Sequence, residues 1–313
     1  MGKTAFLFAG QGAQYPGMGK DFYESFDEVK ELFDKAESKR PGTLKMMFEG
    51  SEEDLKRTEN TQPCLFLADL APALALQKNG IKPDVCAGFS LGEIVGTGAS
   101  GILSYEEAFA LVCKRGVFMQ EASDRVDGKM FAVMKMEKTE LEKLCKEAGV
   151  YPVNYNCPGQ IVVSGEAGKM EQFKGKLEEI KARFVPLAVG GAFHSPYMEA
   201  AGKKLAKELS DDGKYHISEP VLPLYSNRTG KTYGSGRQEI IDLLSTQVSN
   251  SVRWEDTLKN MRDEGVDTFI ECGPGKALSG FVKRTLTDVN IFNVSDTAAL
   301  KDTLEKIGGN GVA

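Results

Sequence analysis

Short apolar runs alternate with longer amphipathic stretches along most of this chain, and that alternation is the strongest constraint on its fold. Thr4 to Ala9, Asp84 to Phe89, Leu222 to Ser226, Thr268 to Cys272 and Ile291 to Val294 have the length and apolar content of buried strands. Helical periodicity fills 61–79, 104–122, 196–210, 238–249 and 252–264. Parallel strands need long crossover connections, and alternating helices supply them. The expected fold class is therefore α/β, with a mostly parallel sheet covered by helices on both faces.

The rhythm changes between 129 and 190. Met130 to Met136 reads as a strand and 138–148 as a charged helix. Tyr151 to Asn156 and Gln160 to Ser164 are strands around the turn Cys157-Pro158-Gly159. A second charged helix, 168–181, leads to a strand from Phe184 to Val189. This β-α-β-β-α-β order is ferredoxin-like. It predicts a small α+β subdomain over 128–191, inserted into a larger domain made of 1–127 and 192–313. A cleft between the two is a natural ligand site. The tail Gly308-Gly309-Asn310-Gly311 is expected to fray.

Composition excludes several classes. The net charge is −6 and the basic residues are scattered, which argues against nucleic acid as a partner. No apolar run is long enough to span a membrane. The first apolar stretch is short and runs into a glycine-rich turn, so it reads as a strand rather than a signal peptide. The six cysteines form no C-x-x-C pair and are expected as reduced thiols in a cytoplasmic protein. His194 and His216 are far apart in the chain, so no histidine-based metal site is expected.

Gly88-Phe89-Ser90-Leu91-Gly92-Glu93 follows a predicted strand and precedes a predicted helix from Leu91 to Ala99. G-x-S-x-G in that context is a nucleophile elbow. The glycines allow a sharp turn that exposes the Ser90 hydroxyl, and the helix N-terminus brings main-chain N–H groups beside it. In a chain with 34 glycines the bare pentad arises by accident roughly one time in five, so the context carries the weight. A serine nucleophile needs a base. His194 sits in Gly190-Gly191-Ala192-Phe193-His194-Ser195-Pro196, at the junction between the two domains. His216 lies in a polar connector and reads as a surface residue, so position favours His194.

Arg115 falls on the apolar stripe Ala108, Leu111, Val112 and Met119 of a helix opened by the capping box Ser104 to Glu107. A guanidinium there needs a partner, either a structural carboxylate or the carboxylate of a ligand. Gly10-Gln11-Gly12 is not a dinucleotide fingerprint, because Tyr15 stands where the third glycine should be. Gln11 instead offers an amide near the strand ends, suited to an oxyanion.

Six motifs then occur in order. Phe8-Ala9-Gly10-Gln11-Gly12, Gly88-Phe89-Ser90-Leu91-Gly92-Glu93, Arg115-Gly116-Val117-Phe118-Met119-Gln120 and Asn156-Cys157-Pro158-Gly159-Gln160 come first. Ala192-Phe193-His194-Ser195 and Glu271-Cys272-Gly273-Pro274-Gly275-Lys276 complete the series. Together they closely resemble the malonyl-CoA:acyl carrier protein transacylases of bacterial fatty acid synthesis and the acyltransferase domains of polyketide synthases. The resemblance covers roughly residues 3 to 297. It implies an α/β-hydrolase-like core carrying a ferredoxin-like insert. It also implies Ser90 as nucleophile and His194 as base, with Gln11 and the Leu91 N–H as oxyanion hole. Arg115 would bind the free malonyl carboxylate, and the main-chain carbonyl of Gln247 would orient the histidine. Malonyl-CoA is the implied donor and an acyl carrier protein the partner, with no bound cofactor or metal. A monomer is expected.

One position departs from the family, which usually has a histidine where Phe89 stands. The elbow is unaffected, but a polar group beside the thioester is removed. Phe193 before His194 resembles the malonyl-type motif. The family is thought to dock its carrier on the helix after Gly275, here read over 276–286. Lys283 and Arg284 would project from it toward an acidic partner, with Ala277, Leu278 and Phe281 facing the core. Otherwise they belong to a solvated helix face, and the docking surface lies near Lys181 and Arg183 of the insert. Two rival readings are a serine hydrolase, which shares the elbow, and an inactive carrier-binding module. A hydrolase of this fold has its histidine late in the chain, and none follows His216 here.

Overall fold

The computed structural model describes residues 2–211 and 213–309. Nine strands form in chain order: β1 (Lys3–Phe8), β2 (Val85–Gly88), β3 (Gly128–Met134), β4 (Tyr151–Cys157), β5 (Gln160–Glu166), β6 (Arg183–Pro186), β7 (Leu224–Tyr225), β8 (Val266–Cys272) and β9 (Asn290–Val294). In β1, Phe6 and Phe8 enter one apolar cluster while Ala5 and Leu7 enter another. Successive side chains point to opposite faces, so the run Ala5 to Phe8, apolar and buried at every position, must be covered on both sides. Helices do this around a five-stranded sheet of order β7-β2-β1-β8-β9, parallel throughout.

A second sheet, of order β4-β5-β3-β6, is antiparallel. The helices Lys138–Ala148 and Ala167–Glu179 supply Leu141, Cys145, Met170, Phe173 and Leu177 to a core of its own. This is the ferredoxin-like arrangement read from the sequence, and the two-sheet α/β fold is as expected. The sheets are joined where Val252 donates its N–H to Val153 O at 2.8 Å and accepts from Tyr155 N–H at 2.9 Å. The segment just before Val252 is thereby held between them.

Some elements differ from expectation. β6 stops at Pro186 rather than Val189: Leu187 N–H still donates to Met130 O at 2.9 Å, but Val189 N–H turns back onto Leu187 O at 2.9 Å and leaves the ladder. The helix expected over 61–79 runs Thr58–Lys78 and passes through Pro63 and Pro72. Pro63 cannot bond to Glu59 O, and Arg40 Nη2 approaches that carbonyl at 3.4 Å instead. Ala277 is exposed, and Val282 takes the buried place beside Leu278 and Phe281. The helices Asp27–Lys39 and Thr43–Glu49 were not anticipated. Nor was Thr297–Gly309, which carries Gly308 and Gly309 of the expected frayed tail; Asn310 and Gly311 lie outside the described residues. Among the described residues no helix is long and apolar enough to cross a membrane.

Candidate active site

The carboxyl ends of β1, β2 and β7 converge on one edge of the parallel sheet. Ser90 lies between β2 and the helix Leu91–Ala99, with φ 54° and ψ −101°. A non-glycine residue in so rarely occupied a conformation costs about 1–3 kcal/mol, and the surroundings must impose it. The flanking glycines are a steric requirement. A Cβ on Gly88 would lie 1.8 Å from Gly92 C, and one on Gly92 would lie 2.3 Å from Phe8 O. The Ser90 N–H donates to Asn227 Oδ1 at 2.6 Å, and Gln247 Nε2 donates to Ser90 O at 2.7 Å.

Ser90 Oγ and His194 Nε2 are 2.7 Å apart. The other ring nitrogen, Nδ1, faces Gln247 O at 3.0 Å and Asn250 O at 3.2 Å. Two carbonyls can only accept, so the neutral ring carries its proton on Nδ1 and Nε2 is free to accept from the serine. Burial and then the Arg115 charge pull the imidazole down to about 4, so it is neutral near pH 7. His194 is itself held at φ 59°, with its N–H donating to Val248 O at 3.0 Å. Main-chain oxygens thus occupy the place that a carboxylate fills in a Ser-His-Asp triad.

Arg115 is fully buried, and its Nη2 reaches both Ser90 Oγ at 3.1 Å and Gln247 Oε1 at 2.8 Å. Its Nε and Nη1 have no partner among the described residues. Burial pulls the guanidinium down to about 10, against the opposing influence of Glu93. Glu93, also fully buried, accepts from the Tyr233 hydroxyl, from Gln247 Nε2 at 2.7 Å and from Asn227 N–H at 3.1 Å. Burial pushes its carboxyl up to about 7, and these donors and Arg115 act in the opposite direction. Among the described residues no carboxylate bonds to Arg115 directly. A buried cation with two idle nitrogens beside a serine hydroxyl is equipped to take a carboxylate from a ligand.

The remaining sequence-derived residues make no hydrogen bond to Ser90, His194 or Arg115 among the described residues. Gln11 follows β1, and its Nε2 contacts Thr58 Oγ1 at 3.4 Å. Leu91 opens its helix, where main-chain N–H groups have no intrahelical acceptor. Phe89 packs edge-on against Trp254, ring centroids 5.4 Å apart, and tilted against Phe281 at 6.1 Å. His216 is exposed and away from this cluster, with its N–H on Glu107 Oε1. Lys283 and Arg284 are exposed on the helix Ala277–Thr285. Arg284 Nη1 donates to Gln160 Oε1 at 2.6 Å and so touches the second sheet. A cleft of about 740 Å³ opens between the second sheet and the helices Glu52–Lys56, Thr58–Lys78 and Tyr105–Ser123; Ser90, His194 and Arg115 do not line it, and Thr58, the contact of Gln11, does. Thr58, Phe131, Leu187 and Gly190 line it, with four cations (Lys56, Arg57, Lys129, Lys174) and two carboxylates (Asp127, Glu171).

Sequence reading did not assign Asn227, Asn250, Tyr233 or the side chain of Gln247 to this centre. Glu93 was legible only as an acidic residue on an apolar helix face, the same signal that singled out Arg115. Asn227 had a weaker cue: an amide directly after a predicted strand.

A family model described as "Acyl transferase domain" matches residues 5–303. A "Malonyl CoA-acyl carrier protein transacylase" from Bacillus subtilis (strain 168) is 38% identical over 314 aligned positions, covering 98% of each chain. A crystal structure of a malonyl CoA-acyl carrier protein transacylase from Clostridium perfringens superposes with a TM-score of 0.93 at 39% identity, over 99% of this chain and 98% of the other. A malonyl-transacylase solved in complex with its type II PKS acyl-carrier protein superposes with a TM-score of 0.91 at 33% identity, over 97% and 99%. Sequence and fold agree over nearly the whole length, and the chain belongs to the acyl transferase family.

Proposed function

We propose that this chain moves a malonyl group from malonyl-CoA to the phosphopantetheine thiol of an acyl carrier protein, supplying fatty acid synthesis through a malonyl ester on Ser90. The observation that carries this reading is Arg115: a buried cation 3.1 Å from Ser90 Oγ, with Nε and Nη1 unpartnered. A serine that accepted only neutral acyl groups would have no use for it.

In the first half-reaction the malonyl carboxylate pairs with Arg115, which presents the thioester carbon to Ser90. Ser90 Oγ attacks as its proton passes to His194 Nε2. The Leu91 N–H and Gln11 take the developing oxyanion. The tetrahedral adduct collapses, the C–S bond breaks, and the CoA sulfur leaves with the proton from His194. In the second half the carrier's thiol gives its proton to His194 and attacks the ester carbonyl. Ser90 then recovers the proton as the C–O bond breaks. The Gln247 carbonyl steadies the imidazolium in both halves. The cations of the cleft suit the phosphates of the CoA arm.

Lys283 and Arg284 are proposed as part of the carrier's docking surface because both are exposed cations on one helix; the carrier complex of the structural relative supports a carrier as the partner. Residues 128–191 are proposed as an inserted subdomain, which has its own apolar core. A polyketide carrier is a second acceptor consistent with that same relative. The test is product analysis: enzyme, malonyl-CoA and holo carrier protein should yield malonyl-carrier at the rate malonyl-CoA is consumed. Free malonate as the main product, with carrier unmodified, contradicts the reading and favours a hydrolase.

A further inference from the structure

Asn227 stands two residues beyond the short strand pairing of β2 with β7. That pairing is parallel and matches Cys86 with Leu224 and Ala87 with Tyr225. Extended by two residues, the same register would set Phe89 opposite Asn227. In a parallel ladder, a residue facing Phe89 would donate to Gly88 O and accept from Ser90 N–H. The main chain does neither, because the elbow has turned away and the Asn227 N–H goes to Glu93 Oε2. The side chain does both. Asn227 Nδ2 donates to Gly88 O at 2.6 Å, and Asn227 Oδ1 accepts from Ser90 N–H at 2.6 Å.

We propose that Asn227 is a positioning residue whose side-chain amide replaces the missing rung of the β2–β7 ladder and holds Ser90 in its reactive conformation. The proposal rests on Ser90 being the nucleophile. A carboxamide carries a donor and an acceptor in the geometry of a peptide group, so Asn can span Gly88 O and Ser90 N–H at once. Fixing those two atoms fixes the peptide planes on both sides of Phe89. The planes in turn set the direction of Ser90 Oγ and of the Leu91 N–H that follows it. Asn227 is 1% exposed, so no water replaces the amide cheaply. The Glu93 contact anchors the main chain of the same residue, which keeps the amide in register with the strand.

The test is single-turnover acylation of Ser90 in Asn227→Asp, which keeps size and acceptor but loses the donor, and in Asn227→Ser. The rate at saturating acyl-CoA, per acylatable site, should fall by about 10- to 100-fold, less than outright loss of an oxyanion donor at the upper end. It should fall alike for malonyl-CoA and acetyl-CoA, with the half-saturating concentrations within about threefold of wild type. A brace for the fold alone would lower the melting temperature and the number of acylatable sites, but not the rate at each site. Rates per site within twofold of wild type therefore overturn the proposal, as does a loss confined to malonyl-CoA. If Asn227→Asp does not fold, Asn227→Ser decides by the same criteria. Wild-type protein that takes no acyl group on Ser90 would instead refute the nucleophile assignment itself.

Discussion

Replacing Arg115 with methionine separates what the arginine does for catalysis from what it costs the fold. The side chain is fully buried, and a guanidinium drawn from 12.5 to about 10 carries roughly 3 kcal/mol of penalty on its charged form. Methionine fills much of the same volume without charge. It gives up the bond to Gln247 Oε1 and leaves that oxygen unsatisfied, a loss of about 1–3 kcal/mol. The two effects nearly cancel, so stability of the free protein should change by less than about 2 kcal/mol in either direction. Malonyl transfer should behave differently. Hydrogen bonds to a charged group contribute about 1.5–3 kcal/mol, so kcat/KM for malonyl-CoA should drop by about 10- to 150-fold. Acetyl transfer, which makes no carboxylate contact, should hold or rise. Urea denaturation together with transfer assays on both acyl-CoAs reads the two effects. A loss of more than about 3 kcal/mol in stability with equal losses for both substrates would show Arg115 to be a strut, and would refute the carboxylate reading.

Four other outcomes follow from the structure. Gly92→Ala should destabilise the protein by about 1–3 kcal/mol, because its Cβ would meet main-chain oxygens of Phe8 and Ala9 rather than a side chain that can swing away; an unchanged melting temperature contradicts this. His194 is neutral in its working form and held at about 4, below the ordinary 6.5, so acetylation of Ser90 should persist as pH falls from 7 to about 5 and be lost only near 4; half-loss near 6.5 would mean the imidazole is not desolvated as described. The unfolded chain takes up that proton first, so stability should also decline as pH drops below about 6.5. Lys283→Glu should raise the apparent KM for the carrier by about 2- to 10-fold and flatten its salt dependence, while unchanged carrier kinetics would move docking elsewhere, toward Lys181 and Arg183.

Features that are local in sequence were readable before the fold was known. The elbow is a contiguous pentad between a strand and a helix, and its glycines are required within five residues of one another. Arg115 announced itself as a charge on an apolar helical stripe, which needs only the helical period. The alternation of strands and helices gave the parallel sheet, and its interruption after 128 gave the second one. What stayed hidden depends on distant pairs. Asn227 meets Ser90 across 137 residues, and Gln247 meets Glu93 across 154. No periodicity encodes such contacts; they exist because β7 lies beside β2 and because Val252 ties the histidine-orienting segment to the second sheet. Lys20–Ser25, Thr43–Glu49 and Glu52–Lys56 are too short to show a clear period, whereas Asp27–Lys39 carries Val29, Leu32, Phe33 and Ala36 at helical spacing and was legible in the sequence.

The central claim is a malonyl ester on Ser90, and intact-mass spectrometry tests it most directly. Wild-type protein incubated with malonyl-CoA and no carrier should gain one malonyl group, carried on the peptide containing Ser90. That group should disappear when holo carrier protein is added. Ser90→Ala should remain folded and gain nothing, since no other hydroxyl lies against His194 Nε2 among the described residues. Full malonylation of Ser90→Ala, or a wild-type adduct that the carrier cannot discharge, would contradict the account.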